Sequence, residues 1–221
     1  MIRLEKISKR YGEGDNVIRA AEDVTLEIEE GEIVVITGYS GSGKTTLLNL
    51  MGGMTRPLAG SIHVSGRDIF AMTEAELSRF RAETVGFVFQ FATIFPTLNA
   101  LDNVRLPRLF SSRGDDEARA RELLMQVGLG DRTQAFHFEL SEGQKRRVCI
   151  ARALMNAPKI LLCDEPTGDL DPDTEEVIMN MISKAHAKGA TVVMTTHNPK
   201  LKSRATRNLR IESGRVFVSA G

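Results

Sequence analysis

The stretch EIVVITGYSGSGKTTLLNLMGG, residues 32–53, contains the local pattern that decides the fold. Its first six residues, 32–37, form an apolar and β-branched run that predicts a buried strand. Glycines follow at once, and the lysine, threonines and leucines after them predict a helix that ends at a glycine pair. Between strand and helix, residues 38–46 match the pattern G-x-x-x-x-G-K-[ST]. A glycine turn with a chance lysine is the alternative, but this context favours a phosphate-binding loop.

Each residue type in this loop suits a polyphosphate ligand. Gly38, Gly41 and Gly43 let the backbone approach a phosphate chain, so that successive N–H groups point at it. Lys44 reaches the β- and γ-phosphates, and the Thr45 hydroxyl can ligate Mg²⁺. The predicted nucleotide-binding loop comprises Gly38, Tyr39, Ser40, Gly41, Ser42, Gly43, Lys44, Thr45 and Thr46.

Polar side chains end three further strands that we expect at the same edge of the sheet. Asp164 follows the apolar run ILLC, where a carboxylate can hold Mg²⁺. Glu165 beside it can orient or deprotonate an attacking water, although an acid pair at a strand end also occurs as a plain solvent-facing feature. His197 ends the run TVVMTTH; a lone histidine is usually structural, but its place at the shared edge favours contact with the γ-phosphate. Gln90 ends GFVFQ and can touch the metal or the water, a signal that is weak alone.

Composition and apolar patterning give no indication of several classes of function. Among 221 residues, 29 basic and 29 acidic side chains balance, and tryptophan is absent, so nothing indicates nucleic-acid binding. No apolar run reaches the length of a membrane span, and the first residues lack the apolar core of a signal peptide. Cys149 and Cys163 lie in apolar runs without metal-ligand spacing, which predicts buried free thiols.

Buried strands alternate with helices along the chain, which predicts an α/β fold with a P-loop NTPase core of the RecA type and a mostly parallel sheet. An antiparallel β subdomain precedes this core, and a helical subdomain is inserted into it. We expect a single domain over 1–221, with core residues 1–90 and 158–221 and helical residues 91–157. Besides the 32–53 unit, the predicted strands are 2–8, 17–28, 60–66, 85–90, 159–166 and 190–197, with a hairpin at 209–219; the predicted helices begin near 73, 115, 141 and 167, and a loop runs from 91 to about 115.

The segment LSEGQKRRV, residues 140–148, predicts a helix with an unusual start. Ser141 fits an N-cap, and Gln144 three residues later completes a capping box. Free N–H groups at a helix start attract an anion. The three cations that follow, at 145–147, are expected to form a solvated face.

The motifs GYSGSGKT, Gln90, LSEGQ, CDEPTGDLD and TTH occur in this order, and the whole chain resembles the ATP-binding cassette ATPases. This resemblance implies a homodimer that clamps two ATP molecules head to tail. Ser141, Gly143 and Gln144 of one copy then face the γ-phosphate bound to Lys44 of the other. The resemblance also implies further roles for single residues: Tyr11 stacks on adenine, Gln90 couples the site to a partner, and Asp171 lies at the dimer seam. Tyr11 can instead be a plain surface tyrosine, and Asp171 a helix N-cap.

Glu142 departs from the family pattern LSGGQ, which has glycine at this position. A carboxylate near a triphosphate repels it unless the carboxylate points away. Three interpretations compete: Glu142 projects into solvent, it pairs with Lys145 or Arg146 one turn on, or it weakens closure of the site. Under the third interpretation the protein is an ATP-gated regulatory clamp with low turnover, which is the alternative to an ATPase that drives transport.

The segment 85–107 resembles the branch that contains the lipoprotein-releasing, macrolide-export and cell-division ATPases. That branch implies a transmembrane permease with a cytoplasmic coupling helix, and a peripheral location at the cytoplasmic face of the inner membrane. We expect the permease to be a separate chain, because this sequence ends at Gly221 before any membrane segment. A groove for this helix is predicted from apolar loop residues, which can equally be core: Phe91, Ile94, Phe95 and Leu98. DNA-maintenance and ribosome-associated cassettes fit less well, because the chain has neither heptads for a coiled coil nor a second cassette.

Overall fold

The computed structural model describes residues 1–168 and 170–218, which form ten strands and six α-helices. The strands are β1 Ile2–Tyr11, β2 Ile18–Ile28, β3 Ile33–Thr37, β4 Ala59–Val64, β5 Arg67–Asp68, β6 Val85–Val88, β7 Ile160–Asp164, β8 Thr191–Thr195, β9 Arg207–Glu212 and β10 Arg215–Val218. The helices are α1 Lys44–Met51, α2 Glu74–Thr84, α3 Ala100–Leu109, α4 Glu117–Gln126, α5 Glu142–Ala153 and α6 Pro172–Ala187. By its internal contacts the chain divides into two units: the first contains 1–77, 162–164 and the described part of 191–221, and the second contains 78–161 and 165–190.

The first unit contains an antiparallel and a mostly parallel sheet. The antiparallel sheet has the order β2-β1-β4-β5, and its pairing of Ile2 with Ile28 and with Val64 places three apolar side chains together in the core. In the second sheet the strands run β10-β9-β3-β8-β7, and β3 lies parallel to both β8 and β9. The middle residues of its central strands β3 and β8 are apolar and buried, as expected for strands covered on both faces, and threonines stand at strand ends. The predicted α/β fold class is therefore present.

A tight hairpin joins β9 and β10. Ser213 and Gly214 both have positive φ, 47° and 80°, and Glu212 pairs directly with Arg215. Two left-handed residues between paired strands are the geometry of a type I′ turn, whose twist matches that of the strands. The predicted turn is confirmed, and Ser219 at the end of the predicted hairpin lies outside the described residues.

The second unit is mainly helical, and one of its helices contradicts the sequence analysis. The expected loop from 91 to about 115 is wrong, because α3 occupies Ala100–Leu109. Asn99 caps α3 by accepting a hydrogen bond from the Asp102 backbone N–H at 2.8 Å. Asn103 is fully buried, and its side chain both accepts from the Phe95 N–H and donates to the Phe95 carbonyl. These local bonds stabilise a helix whose apolar pattern is interrupted by charged residues and a proline.

Both cysteine thiols are free and buried, as predicted. Burial is the main cause that raises the pKa of the Cys149 thiol and the pKa of the Cys163 thiol, so both stay protonated at neutral pH. Among the described residues, no helix combines the length and apolar character required to cross a membrane.

Candidate functional site

The loop between β3 and α1 depends on Gly43, which precedes the first helical residue. Gly43 has φ 110°, and a Cβ added there would lie 2.0 Å from the Ala20 carbonyl oxygen. Both the backbone conformation and the available space therefore require glycine. As the N-cap, Gly43 supplies no side-chain acceptor, and the first turn of α1 contains no acidic residue. The start of α1 thus keeps its positive partial charge available to an external anion.

The other two loop glycines are required for different reasons. A Cβ on Gly38 would lie 2.4 Å from the Ile211 carbonyl oxygen, so Gly38 allows the loop to pack against β9. Gly41 has open space around it but a φ of 76°. The close approach of backbone segments, as well as any ligand, therefore explains part of the glycine pattern.

Lys44 is held at the loop by the loop's own carbonyls. Its Nζ donates to the Gly38 oxygen at 2.8 Å and to the Tyr39 oxygen at 3.1 Å. Ser42 is buried, and its Oγ has no hydrogen-bond partner within the described part of the chain. An unpaired buried hydroxyl is uncommon and indicates a missing acceptor or donor, which suits a phosphate oxygen. Tyr39 and Ser40 are exposed, and Thr46 is half-buried on α1.

Asp164 lies at the carboxyl end of β7, buried to 2% exposure, between two threonine hydroxyls. Thr45 donates to Asp164 Oδ2 at 2.7 Å, and Thr195 donates to Oδ1 at 2.6 Å. Two donors stabilise the buried carboxylate and fix its plane. Thr195 was missed by the sequence analysis, although a polar residue at the end of the apolar run TVVM marks it.

Hydroxyl and carboxylate oxygens are the donors that Mg²⁺ prefers, and few protein ligands suffice because phosphates and water supply the rest. Thr45 and Asp164 form such a donor pair within hydrogen-bond distance of each other. The described residues contain no group of three or more histidines, cysteines or acids that would hold a metal by themselves. The residues present therefore fit a metal that arrives with a nucleotide.

Two more predicted site residues of the first unit lie at its surface. His197 is exposed, two positions beyond the end of β8. Tyr11, the last residue of β1, is 43% exposed, and Lys9 Nζ lies 5.4 Å from the centre of its ring. An exposed aromatic face beside a cation can stack on a base.

Glu165, a predicted site residue in the second unit, has an unusual backbone conformation. It has φ 46°, in the left-handed region, and it is only 7% exposed. Its carbonyl accepts from the Gly168 N–H at 3.1 Å, which closes a turn directly after β7. A non-glycine residue in this conformation costs roughly 1–3 kcal/mol and is typical of functional sites.

Two backbone N–H groups at the start of α5 donate hydrogen bonds to side chains of the same helix start. Ser141 Oγ accepts from the Gln144 N–H at 3.2 Å, and Gln144 Oε1 accepts from the Ser141 N–H at 2.9 Å. The predicted capping box is confirmed. Gly143 lies near α6, since an added Cβ would be 3.3 Å from Thr174 Oγ1. Asp171 caps α6 by accepting from the Thr174 N–H at 2.9 Å, so its N-cap interpretation holds.

Glu142 both points outward and pairs with Lys145. Its side chain is 78% exposed, and its Oε1 accepts from Lys145 Nζ at 2.7 Å. The Lys145 hydrogen bond is the main cause that lowers the pKa of the Glu142 carboxyl below its usual range.

The expectation of a solvated basic face on α5 is wrong. Lys145 and Arg146 are each 8% exposed. Arg146 Nη1 donates to the Phe89 carbonyl at 2.9 Å, and Arg147 Nη1 donates to the Val127 carbonyl at 3.0 Å. Long basic side chains can bury their stems when their heads find acceptors, and these acceptors come from other segments of the fold. Gln90, next to Phe89, is exposed.

Comparisons with known proteins agree with this geometry. A family model described as ABC transporter matches residues 21–168, more than half of the chain. The chain is 42% identical over 221 residues to the lipoprotein-releasing system ATP-binding protein LolD of Geobacter metallireducens, with 99% of this chain and 98% of LolD covered. A solved structure of the ATP-binding cassette MJ0796, dimeric and bound to ADP and Pi, matches with a TM-score of 0.93 and 37% identity, over 100% of both chains.

Longer relatives match in one part only. The macrolide export ATP-binding/permease protein MacB 1/2 of Paracoccus denitrificans is 41% identical over 220 residues, which cover 99% of this chain and 33% of that protein. The chain thus spans one third of this relative and nearly all of LolD.

Proposed function

We propose the following function for this chain, which belongs to the ABC transporter family and is an ATPase of that family. Two copies bind two ATP molecules head to tail, and hydrolysis drives a separate membrane permease of the mechanotransmission or export type. The chain then acts as a peripheral subunit at the cytoplasmic face of the membrane. The similarity to LolD, nearly all of which the chain covers, supports a permease on a separate chain, and the name of MacB links its ATP-binding function to a permease.

The observation that carries the proposal is the arrangement of Lys44, Thr45 and Asp164 around the open start of α1. Lys44 lies on two loop carbonyls, which it can exchange for the β- and γ-phosphate oxygens of ATP. Thr45 and Asp164 would hold Mg²⁺, which neutralises phosphate charge when it is bound. Gln90 is proposed as a further metal contact that also senses the permease.

Hydrolysis requires a base and a group that orients the γ-phosphate. In the proposed step a water oxygen attacks the γ-phosphorus while the bond to the β–γ bridging oxygen breaks, and ADP leaves with the bonding electrons. Glu165 accepts the proton of that water. His197 orients the γ-phosphate, and Tyr11 stacks on adenine.

The second copy completes each site in this proposal. Ser141, Gly143 and Gln144 of one copy face the γ-phosphate that Lys44 of the other copy binds. The capping box keeps the start of α5 in a helical conformation before pairing, so little backbone ordering remains for the dimerisation step. Asp171 is proposed to lie at the seam between copies.

Replacing Glu165 by Gln tests the assigned base. We expect phosphate release to fall by about 100-fold or more, while ATP still drives dimer formation, because only proton transfer is lost. Light scattering after size-exclusion chromatography measures the dimer. Glu176→Gln, an exposed acid on α6, is the matched control. A parental hydrolysis rate in Glu165→Gln would contradict the assignment.

The permease contact is proposed to use the exposed phenylalanines that follow Gln90. Phe91 is 74% exposed and Phe95 is 50% exposed, whereas Ile94 is buried at 8% and belongs to the core. The Arg152 guanidinium carbon lies 6.0 Å from the centre of the Phe95 ring, which holds the ring at the surface. Two exposed aromatic groups, one of them beside Arg152, suit the apolar face of a short amphipathic helix.

Phe95→Asp tests this contact. We expect the variant to lose co-purification with its permease and to keep basal ATPase activity, because the aromatic anchor is replaced by a charge. Phe110→Asp, at a phenylalanine with 59% exposure, is the matched control. If Phe95→Asp unfolds the protein while Phe110→Asp does not, Phe95 is a core residue and the contact is wrong.

A further inference from the structure

The start of α5 contains a charge of the wrong sign for its proposed ligand. Glu142 lies between Ser141 and Gly143, the two residues proposed to face the γ-phosphate of the second copy. At a separation of about 10 Å in water, two unit charges repel by roughly 0.4 kcal/mol, and a nucleotide carries several charges. An uncompensated Glu142 would therefore weaken ATP-driven pairing.

Lys145 supplies the compensating charge from an anchored position. Its side chain is 10% exposed, whereas that of Glu142 is 78% exposed, and the two charged groups are 2.7 Å apart. Surface pairs usually contribute little because two flexible side chains must be ordered together. Here the lysine stem is already fixed by packing, so only the glutamate loses freedom.

Two more basic groups act on the pair, while the acidic Asp171 lies near Gly143, with its Oδ2 3.8 Å from the position of an added Cβ. Besides Lys145, charge interactions with His137 and Arg146 also lower the pKa of Glu142. Arg146 is itself fixed by its bond to the Phe89 carbonyl. The nearest acid on the preceding segment, Glu139, is engaged at the Phe136 N–H at 2.8 Å. Glu142 is therefore drawn back along α5 by cations on its own chain.

We propose that Lys145 is a positioning residue, which neutralises the Glu142 carboxylate and turns it away so that Ser141 and Gly143 can approach the triphosphate of a second copy. This inference rests on the proposed head-to-tail dimer. Glu142 and Lys145 together then replace the glycine that the family pattern has at position 142. A plain surface salt bridge is the competing explanation, and it predicts an effect on stability only.

The test measures the ATP concentration at which half of the protein is dimeric, in the Glu165→Gln background. We expect Lys145→Met to raise this midpoint by about three- to ten-fold, since repulsion from Glu142 is no longer compensated. The double variant Glu142→Gln/Lys145→Met should stay near the parental midpoint, and Glu142→Gln alone should lie slightly below it, because the Lys145 charge is then unpaired. Lys184→Met, which removes an exposed cation from α6, is the control for net charge.

A second variant tests the same pair without replacing Lys145, whose burial means that its replacement can disturb folding. Glu142→Asp keeps the charge at an exposed position, but its side chain is one methylene shorter, which lengthens and weakens the contact with the anchored Lys145 Nζ. We expect it to raise the midpoint as well, and to raise it more at low salt, because screening is weaker there.

The outcomes separate this inference from the proposed function. If the parental background forms no ATP-driven dimer, the proposed function fails. If dimers form but Lys145→Met raises the midpoint by the same factor whether or not Glu142→Gln is also present, the inference is wrong. It is also wrong if Glu142→Asp leaves the midpoint unchanged at low salt.

Discussion

The starts of α1 and α5 are two helix N-termini that the fold finishes in opposite ways. At α1 the cap is Gly43, with no side-chain acceptor and no acid in the first turn. At α5 Ser141 caps the helix, Gln144 completes the box, and Glu142 adds an acid that Lys145 balances.

The difference separates a helix start that needs a ligand from one that is stable alone. Orphan N–H groups at a helix start are satisfied by side chains, water or ligands. The start of α1 leaves this role to a ligand, which suits tight binding within one chain. The start of α5 satisfies much of its own requirement, which suits a surface that engages only when a second copy arrives.

The largest expected effect is at the bare helix start. Gly43→Ala places a Cβ 2.0 Å from the Ala20 oxygen at a φ of 110°, so the loop must shift. We expect the free energy of unfolding to fall by about 3 kcal/mol and nucleotide binding to be lost. Urea unfolding and a fluorescent ATP analogue measure the two effects. Gly41→Ala, with open space around it, should be milder; parental stability of Gly43→Ala would contradict the close contact.

A smaller effect is expected at the capped helix start. Ser141→Ala removes the acceptor of the Gln144 N–H, which lowers the free energy of unfolding by about 1 kcal/mol. Thermal unfolding without nucleotide measures this loss. Ser40→Ala, at an exposed loop serine, serves as the control. Equal melting temperatures of Ser141→Ala and the parent would mean that the box contributes nothing to stability.

The smallest effect on stability is expected at Gly143, the counterpart of Gly43. Alanine favours the helix over glycine, and the new Cβ would sit 3.3 Å from Thr174 Oγ1, so the two contributions oppose each other. We expect the free energy of unfolding to stay within about 0.5 kcal/mol of the parental value. ATP-driven dimerisation should nonetheless weaken, because the proposed contact surface has gained a methyl group. A loss of stability as large as that of Gly43→Ala would remove the contrast between the two helix starts.

The features predicted correctly depend on residues close in sequence. The strand and glycine loop of residues 32–46, the Ser213–Gly214 turn and the Ser141 capping box are each fixed within a few positions. The helix predicted to begin near 73 is of the same kind, since Glu76 Oε2 accepts from the Thr73 N–H at 2.9 Å. Local hydrogen-bond geometry leaves few alternatives in such segments.

The features missed depend on partners distant in sequence or on burial. Thr195 reaches Asp164 across 31 positions, and Arg146 reaches Phe89 across 57. The periodicity of apolar residues does not predict hydrogen bonds between residues so distant in sequence. Helix α3 was missed because its stability comes from the buried Asn103 amide and its contacts with loop carbonyls, which a pattern of apolar residues does not record.

The two hydroxyls around Asp164 have a consequence for speed as well as for binding. Because Thr195 holds one carboxylate oxygen and Thr45 the other, the Asp164 side chain is already fixed in one rotamer before a ligand binds. The Asp164 side chain lost its conformational entropy during folding, so an incoming ligand has to displace only one hydroxyl from the carboxylate. Loading of nucleotide should accordingly be limited by diffusion and by departure of the Lys44 ammonium from its carbonyls, rather than by rearrangement at the end of β7.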